Sequence, residues 1–144
     1  LLDRGIQPIV CDWLDADSIP NLPTVDGLLV AVPHRPDESL GTATHIVGLT
    51  NVLSKLQSGP GQPTEEHAAT GLHLVYLSTT GVYGQVAADQ VDETTAVSPT
   101  RPGPQIAVET ERWLESHSAE LSLRKLTICF YHIGRHLGEA QVDW

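Results

Sequence analysis

Three continuous apolar runs of strand length, each bounded by turn-forming or polar residues, constrain the fold of this chain most strongly. They are Val25–Pro33, Leu72–Ser78 and Leu126–Tyr131, and a shorter β-branched run at Ile6–Val10 precedes them. Their apolar residues do not alternate with polar ones, which is typical of strands covered on both faces. The runs therefore predict parallel strands.

Helical patterns lie between the runs. In Thr44–Leu56 apolar residues recur at helical spacing, and Pro104–His117 begins with a proline and carries its apolar residues on one side. Strands that alternate with helices predict an α/β fold with a parallel sheet. Long polar segments follow Ser58 and Gly84, and loops after strand ends carry the chemistry in such sheets.

The charge of the chain limits its partners. Its 144 residues, the size of one domain, include 18 acidic and 8 basic residues, for a formal net charge of -10. Proteins that bind a phosphate backbone or an anionic membrane carry a basic face, so we expect neither nucleic acid nor a membrane as a partner. A small molecule is the expected ligand, and the sequence is silent on the oligomeric state.

The cysteines and the ends of the chain bear on where the protein is located and on whether the sequence is a piece of a longer one. Cys11 and Cys129 each lie in an apolar run and form no disulfide framework, which predicts two reduced, buried thiols. No run reaches the roughly 18–20 residues of a membrane span and no signal peptide opens the chain, so a cytoplasmic location is expected. The sequence has no methionine and opens on what looks like the tail of a helix ending at Gly5. We therefore expect a piece of a longer protein, or a processed or incomplete product.

Two neighbouring stretches carry a resemblance to a known family. LVYLSTTGVYG, ending at Gly84, and VDETTAVSPTRP, ending at Pro102, together resemble the NAD(P)-binding Rossmann domain of the NAD-dependent epimerase/dehydratase family, the extended and atypical short-chain dehydrogenases. The likeness runs from about Leu1 to Ile128. It implies a Rossmann-like parallel sheet with flanking helices. Residues 1–144 would form a partial domain, without the family's first two strands and its substrate-binding subdomain.

The resemblance also implies site residues, with NAD or NADP as cofactor. Thr79 matches the family's active-site Ser/Thr, whose hydroxyl would hydrogen-bond a substrate carbonyl or hydroxyl during hydride transfer. Six residues match positions around the cofactor: Asp12, which would touch adenine, Trp13 and Leu14 beside it, and Ala31, Val32 and Pro33 at the end of the family's fourth strand.

This sequence departs from the family's pattern in two places. Gly103 and Ala107 stand where the family has the tyrosine and lysine of Tyr-x-x-x-Lys, the pair that moves the proton and holds the ribose. No Gly-rich phosphate loop occurs in the chain, so the pyrophosphate lacks its usual helix N-terminus. Thr79 alone remains of the expected catalytic groups, and we expect turnover near zero.

Three functions stay open on this evidence. The first is an NAD(P)-binding, epimerase/dehydratase-like oxidoreductase domain that acts on a sugar nucleotide or another small hydroxy or keto compound and is catalytically impaired. The second is a non-catalytic NAD(P) sensor or regulatory binding module. The third is an inactive fragment.

Several side chains have a plainer interpretation beside the functional one. The Thr79 hydroxyl can be satisfied by its own backbone, and Asp12 can be an ordinary acid at a strand end. Tyr83 is expected to pack the turn rather than to replace the missing acid. His132 and His136 are spaced as zinc ligands on a helix, but their segment is predicted to be strand and coil, so no metal site is expected.

Overall fold

The computed structural model of this chain describes residues 2–37, 39–58, 71–85, 91–92, 94–121, 123–131 and 138–140. The strands are β1 (Gly27–Val30), β2 (Leu72–Thr79), β3 (Leu123–Tyr131) and β4 (Gly138–Ala140), and the α-helices are α1 (Thr44–Ser58) and α2 (Pro102–His117). Short 3₁₀ turns span Leu2–Arg4 and Thr80–Tyr83. The three continuous apolar runs and both helical patterns form the elements that they predict.

The strands form one sheet in the order β1-β2-β3-β4, and the α/β prediction is confirmed. The first three strands are parallel, while β4 pairs antiparallel with β3. The register aligns Val30 with Tyr76 and Tyr76 with Ile128. Because β1 and β2 are parallel neighbours, the segments that follow them leave the sheet at the same edge.

The hydrophobic core lies on one face of this sheet. Its buried residues come from alternate positions of three strands and from both helices: Val30, Leu74, Tyr76, Leu126, Ile128, Leu49, Leu53 and Leu114. The prediction that the strands are covered on both faces is wrong for the described residues. Leu29 is 62% exposed, and Val75 and Leu77 are only half-buried, because both helices pack on the opposite face.

The segment Ile6–Val10 is not a strand, contrary to the expectation from its β-branched residues. Ile6, Ile9 and Val10 are exposed, Val10 by 98%, and no described strand pairs with them. A strand needs a neighbour for its backbone hydrogen bonds, and the apolar pattern alone does not supply one. Cys11, which follows, is exposed and Cys129 is half-buried, so the prediction of two buried thiols is also wrong, although neither cysteine forms a disulfide.

The end of the first 3₁₀ turn agrees with the sequence, since Gly5 has a φ of 70°. Glycine adopts this left-handed conformation without the steric cost that a Cβ brings. Among the helices that the structure describes, none combines the length and the apolarity needed to cross a membrane.

Candidate functional site

A cavity of about 860 Å³ opens at the edge where β1 and β2 end. We call it the main cavity. Its lining comes from the segment after β1, from the end of β2 with the following 3₁₀ turn, and from the residue before α2: Ala31, Val32, Pro33, His34, Leu77, Ser78, Thr79, Thr80, Gly81, Gly84 and Arg101. Ligands of open α/β sheets bind at such strand ends.

Four of the seven predicted site residues meet at this cavity. Ala31, Val32 and Pro33 line one side and Thr79 lines the other. They come together because β1 and β2 are adjacent and parallel, which places their carboxyl ends side by side.

Trp13 and Leu14 line a second cavity of about 290 Å³, which shares Val32 and Pro33 with the main one. We call it the Trp13 cavity. Asp12 is not among its lining residues: it is exposed, and its carboxylate accepts a hydrogen bond from the Leu14 backbone N–H at 3.0 Å. In this structure Asp12 shapes its own turn, which is the plainer of its two interpretations.

Trp13 is held against α1 rather than standing free. Its indole ring lies directly over Gly48, where any Cβ would overlap the ring, and it meets the His45 ring edge-on at 5.1 Å between centroids. The Asn51 side-chain amide donates to the backbone carbonyls of Trp13 and Leu14 at 3.0 and 3.2 Å. These contacts fix the wall of the Trp13 cavity and leave the ring only partly accessible to a ligand.

Thr79 is the last residue of β2 and caps the 3₁₀ turn that follows. Its Oγ1 accepts a hydrogen bond from the Gly81 backbone N–H at 3.2 Å. This local bond uses a lone pair but not the hydroxyl proton. Thr79 can therefore still donate a hydrogen bond to a ligand in the main cavity.

Gly84 ends the 3₁₀ turn that Thr79 caps. Its backbone has φ 65° and ψ −140°, and a Cβ there would overlap the Ser98 carbonyl oxygen. The Ser98 N–H donates to the Val82 carbonyl at 2.8 Å. Tyr83 is buried against Ala107 and Val108 in a small apolar cluster, so it packs the turn as expected.

The positions that would carry the tyrosine and lysine are closed. A Cβ at Gly103 would lie 2.9 Å from the His34 carbonyl oxygen, tighter than nearly all real contacts. Ala107 is fully buried in the apolar cluster with Tyr83. The two departures are thus accommodated by the packing around them, with the His34 backbone against Gly103 and apolar side chains around Ala107.

His34 follows Pro33 and lines both the main cavity and a smaller one of about 290 Å³ beside Gly103. Its Nε2 lies 3.1 Å from the Tyr76 hydroxyl, and Nδ1 of His45 lies 3.0 Å from the same oxygen. Burial, together with the nearby His45 ring, lowers the pKa of His34 to about 4. Burial also lowers the pKa of His45 and raises that of Tyr76 above its usual range, so all three groups are neutral at pH 7.

A half-buried carboxyl group, that of Glu111, lies against Ser78. The Ser78 hydroxyl, which lines the main cavity, donates to Oε1 of Glu111 on α2. Burial raises the pKa of Glu111 and the bond from Ser78 opposes that shift. The bond connects the floor of the cavity to the middle of α2.

Arg101 supplies the one charge among the residues that line the main cavity. It precedes α2 in an extended conformation, and no acidic side chain of the described residues pairs with it. In a chain of net charge -10 this places a cation, with no acidic partner in the described part of the chain, where a ligand would enter.

Sequence reasoning did not single out His34, Arg101 or Glu111. His34 and Arg101 stand immediately beside residues that it did select, at Pro33 and in the loop before the helix, so their positions were a usable signal. The bond between Glu111 and Ser78 joins residues 33 positions apart and depends on how α2 packs on the sheet. In the part of the chain that the structure describes, no three metal-ligating side chains converge, and His132 and His136 lie outside it.

Comparison with known proteins supports the fold. No family profile matches the sequence, and no curated protein matches it. The chain is similar in structure to RMD from Pseudomonas aeruginosa, which was solved in complex with NADPH, with 22% sequence identity and a TM-score of 0.60. The match covers 85% of this chain and 42% of that one, so this chain spans less than half of its length. The fold of this chain is therefore α/β and Rossmann-like.

Proposed function

We propose that this chain binds a nicotinamide dinucleotide, NAD or NADP, in the main cavity. The observation that carries the proposal is the meeting of Ala31, Val32, Pro33 and Thr79 around one cavity at the ends of adjacent parallel strands. All four are positions that the sequence resemblance predicts for the site. The structural similarity to a protein solved with NADPH supports the same ligand class.

The residues of the main cavity fit the nicotinamide end of such a molecule. Its volume of about 860 Å³ lies within the range of roughly 300–1,000 Å³ that small-molecule and cofactor sites occupy. The wall is apolar at Ala31, Val32 and Leu77, while Thr79 and Arg101 provide hydrogen-bond donors. The pyrophosphate would need other groups, since the sequence contains no Gly-rich loop.

With this cofactor the chain would be an oxidoreductase domain of epimerase/dehydratase type, acting on a sugar nucleotide or another small hydroxy or keto compound. Nicotinamide, when bound, supplies hydride transfer at its C4. Thr79 would donate its hydroxyl proton to a ligand oxygen, and the strand end at Ala31–Pro33 would exclude water from one side. Neither Gly103 nor Ala107 can move a proton, so turnover by this chain should be near zero.

Calorimetric titration with NADPH and with NADH tests the proposal. Replacing exposed Ala31 by Trp fills the main cavity and should weaken binding more than about tenfold, a cost of about 1.4 kcal/mol. Ala119→Trp is the matched control, because Ala119 is exposed beyond the far end of α2 and should leave binding unchanged. The proposal is wrong if neither nucleotide binds, or if both variants lose affinity equally.

A second candidate function is a non-catalytic sensor of NAD(P). The closed packing around Gly103 and Ala107 favours it, because this packing leaves no room for the missing pair. The same samples separate the candidates when hydride transfer is followed by nicotinamide absorbance. Nucleotide binding with slow but detectable turnover of a hydroxy compound supports the impaired enzyme, and binding with no detectable turnover supports the sensor.

A further inference from the structure

His34, which lines the main cavity, Tyr76 and His45 form a hydrogen-bonded chain that ends on a backbone carbonyl. The Tyr76 hydroxyl lies between Nε2 of His34, at 3.1 Å, and Nδ1 of His45, at 3.0 Å. Nε2 of His45 lies 3.2 Å from the Pro33 carbonyl oxygen. The His34 and His45 rings stack at 4.8 Å between centroids, and Tyr76 is fully buried, so the geometry of the chain is fixed by packing.

The Pro33 carbonyl sets the direction of every bond in this chain. A carbonyl oxygen only accepts, so Nε2 of His45 must carry the proton. Nδ1 of the neutral His45 ring is then an acceptor and receives the Tyr76 O–H. The Tyr76 oxygen in turn accepts, so Nε2 of His34 donates to it and carries the proton of that ring.

Nδ1 of His34 is consequently unprotonated, and it has no hydrogen-bond partner among the described residues. The other polar side chains that line the main cavity, those of Ser78, Thr79, Thr80 and Arg101, all carry proton donors. Besides the Ser78 oxygen, whose proton is engaged by Glu111, His34 is thus the side chain of this lining with an atom that can only accept.

The electrostatics keep this atom available as an acceptor. Burial and the adjacent His45 ring lower the pKa of His34 to about 4, so the ring stays neutral throughout the neutral pH range. The groups nearest to it are the neutral His45 and Tyr76 rings, while Arg101 shares both of its cavities and disfavours a second positive charge.

We propose that Nδ1 of His34 accepts a hydrogen bond from a ribose hydroxyl of the bound nicotinamide nucleotide, an inference that rests on the proposed function. A hydroxyl suits this position because it both donates and accepts, and can satisfy His34 while it receives a bond from Thr79 or Arg101. A carboxamide meets the same demand only through two separate groups, its NH₂ towards His34 and its C=O towards those donors, whereas a hydroxyl meets it at one atom. His34 is then a ligand-binding residue that Tyr76 and His45 position.

Nitrogen-15 NMR of the histidine rings tests the inference in two stages. In the ligand-free chain, His34 and His45 should both carry their proton on Nε2. On titration with NADPH or nicotinamide mononucleotide the Nδ1 resonance of His34 should shift as it gains a donor. Nicotinamide alone, which has no ribose, should leave it unmoved.

Two substitutions at the same position separate the ring nitrogens. His34→Gln places an amide near Nε2, keeps the bond to Tyr76 and removes the Nδ1 acceptor, so NADPH binding should weaken about 3- to 10-fold. His34→Asn places an amide oxygen near Nδ1 and should retain affinity within about twofold. His73→Gln is the matched control, since His73 bonds Thr127 through Nε2 at 3.1 Å and does not line the main cavity.

The outcomes are distinct from those of the proposed function. Failure of NADPH to bind by calorimetry removes the proposed function and the role of His34 with it. Binding that leaves His34 Nδ1 unshifted, an Nδ1–H tautomer in the free chain, or a shift caused by nicotinamide alone overturns the role of His34 only. Equal losses in His34→Gln and His34→Asn also overturn it.

Discussion

The Thr79 corner, Ser78–Gly84, and the N-terminal segment, Ile6–Asp26, border neighbouring cavities but are held in different ways. The corner is fixed by its own backbone, through the bond from Gly81 to Thr79 and the contact of Gly84 with Ser98. The segment is fixed by a few side-chain contacts, mainly those of Trp13 with α1. The Thr79 corner thus depends on the backbone conformation of single residues, and the N-terminal segment depends on the packing of the Trp13 ring.

Gly84→Ala should give the largest effect. The new Cβ would overlap the Ser98 carbonyl, and the backbone conformation is nearly exclusive to glycine, so the free energy of unfolding should fall by about 3 to 5 kcal/mol. Gly5→Ala in the N-terminal region is the control, because it also has a positive φ but nothing lies within 4 Å of its Cβ. It should cost only about 1 kcal/mol. Equal costs in urea denaturation would remove the distinction between the two regions.

The contact between Trp13 and Gly48 should give the next largest effect. Gly48→Ala forces the indole ring away from α1 and should cost about 1 to 3 kcal/mol. In a Trp13→Ala background the same change should instead stabilise by up to about 1 kcal/mol, because alanine favours the helix and no ring opposes it. A double-mutant cycle followed by circular dichroism measures this coupling. A change of equal size in both backgrounds would show that Trp13 does not anchor the segment.

Acid should destabilise the fold through His34 and His45. His34 and His45 are neutral in the fold, with the pKa of His34 lowered to about 4 against 6.5 for an unperturbed ring. The unfolded chain binds more protons in this range, so stability should fall as the pH drops from about 6.5 towards 4. For the half-buried His34 ring we expect a loss on the order of 1–2 kcal/mol after allowance for solvent screening.

Urea midpoints at pH 7 and pH 4.5 measure this loss, with His34→Gln as the variant that lacks the titrating ring. The variant should show a smaller difference between the two pH values than the unaltered chain. An identical difference would indicate that His34 is solvated in the folded state.

Glu111→Gln should give the smallest effect, and with the opposite sign. Burial raises the pKa of Glu111, so the folded chain holds this proton longer than the unfolded chain, and stability from this group is lost as the pH rises above about 4.5. Glutamine keeps an acceptor for Ser78 without the charge. The variant should match the parent near pH 4 and exceed it at pH 7 by at most about 1 kcal/mol. Lower stability of the variant at pH 7 would show that the charged form is favoured.

Local pattern predicted the parts of this fold whose neighbours are present among the described residues. Leu72–Ser78 became β2 because strands lie on both sides of it, and the helices at Thr44 and Pro102 found the sheet face that their apolar sides required. Ile6–Val10 has a similar residue preference but no neighbouring strand among the described residues, so propensity was not enough. Coverage of the second sheet face failed for a different reason, because both described helices pack on the first face.

The residues of the candidate site also fall into those that the sequence could predict and those that it could not. Ala31–Pro33 and Thr79 could be predicted because a strand end fixes where its residues go. Asp12, Trp13 and Leu14 were assigned to a strand end, yet Trp13 turns onto Gly48, a contact that depends on a missing side chain 35 positions away. The bonds of His34 and His45 to Tyr76 require the three-dimensional arrangement of β1, α1 and β2, which no local pattern encodes.

The bond from Ser98 to Val82 has a consequence for how such a protein can change over time. It holds Val82 and Ser98 together, so the polar segment between them begins and ends at a fixed position. The entropy cost of closing a loop rises only slowly with its length. Insertions in this segment should therefore be tolerated without moving Thr79. That segment can then diversify while the underlying geometry is inherited intact.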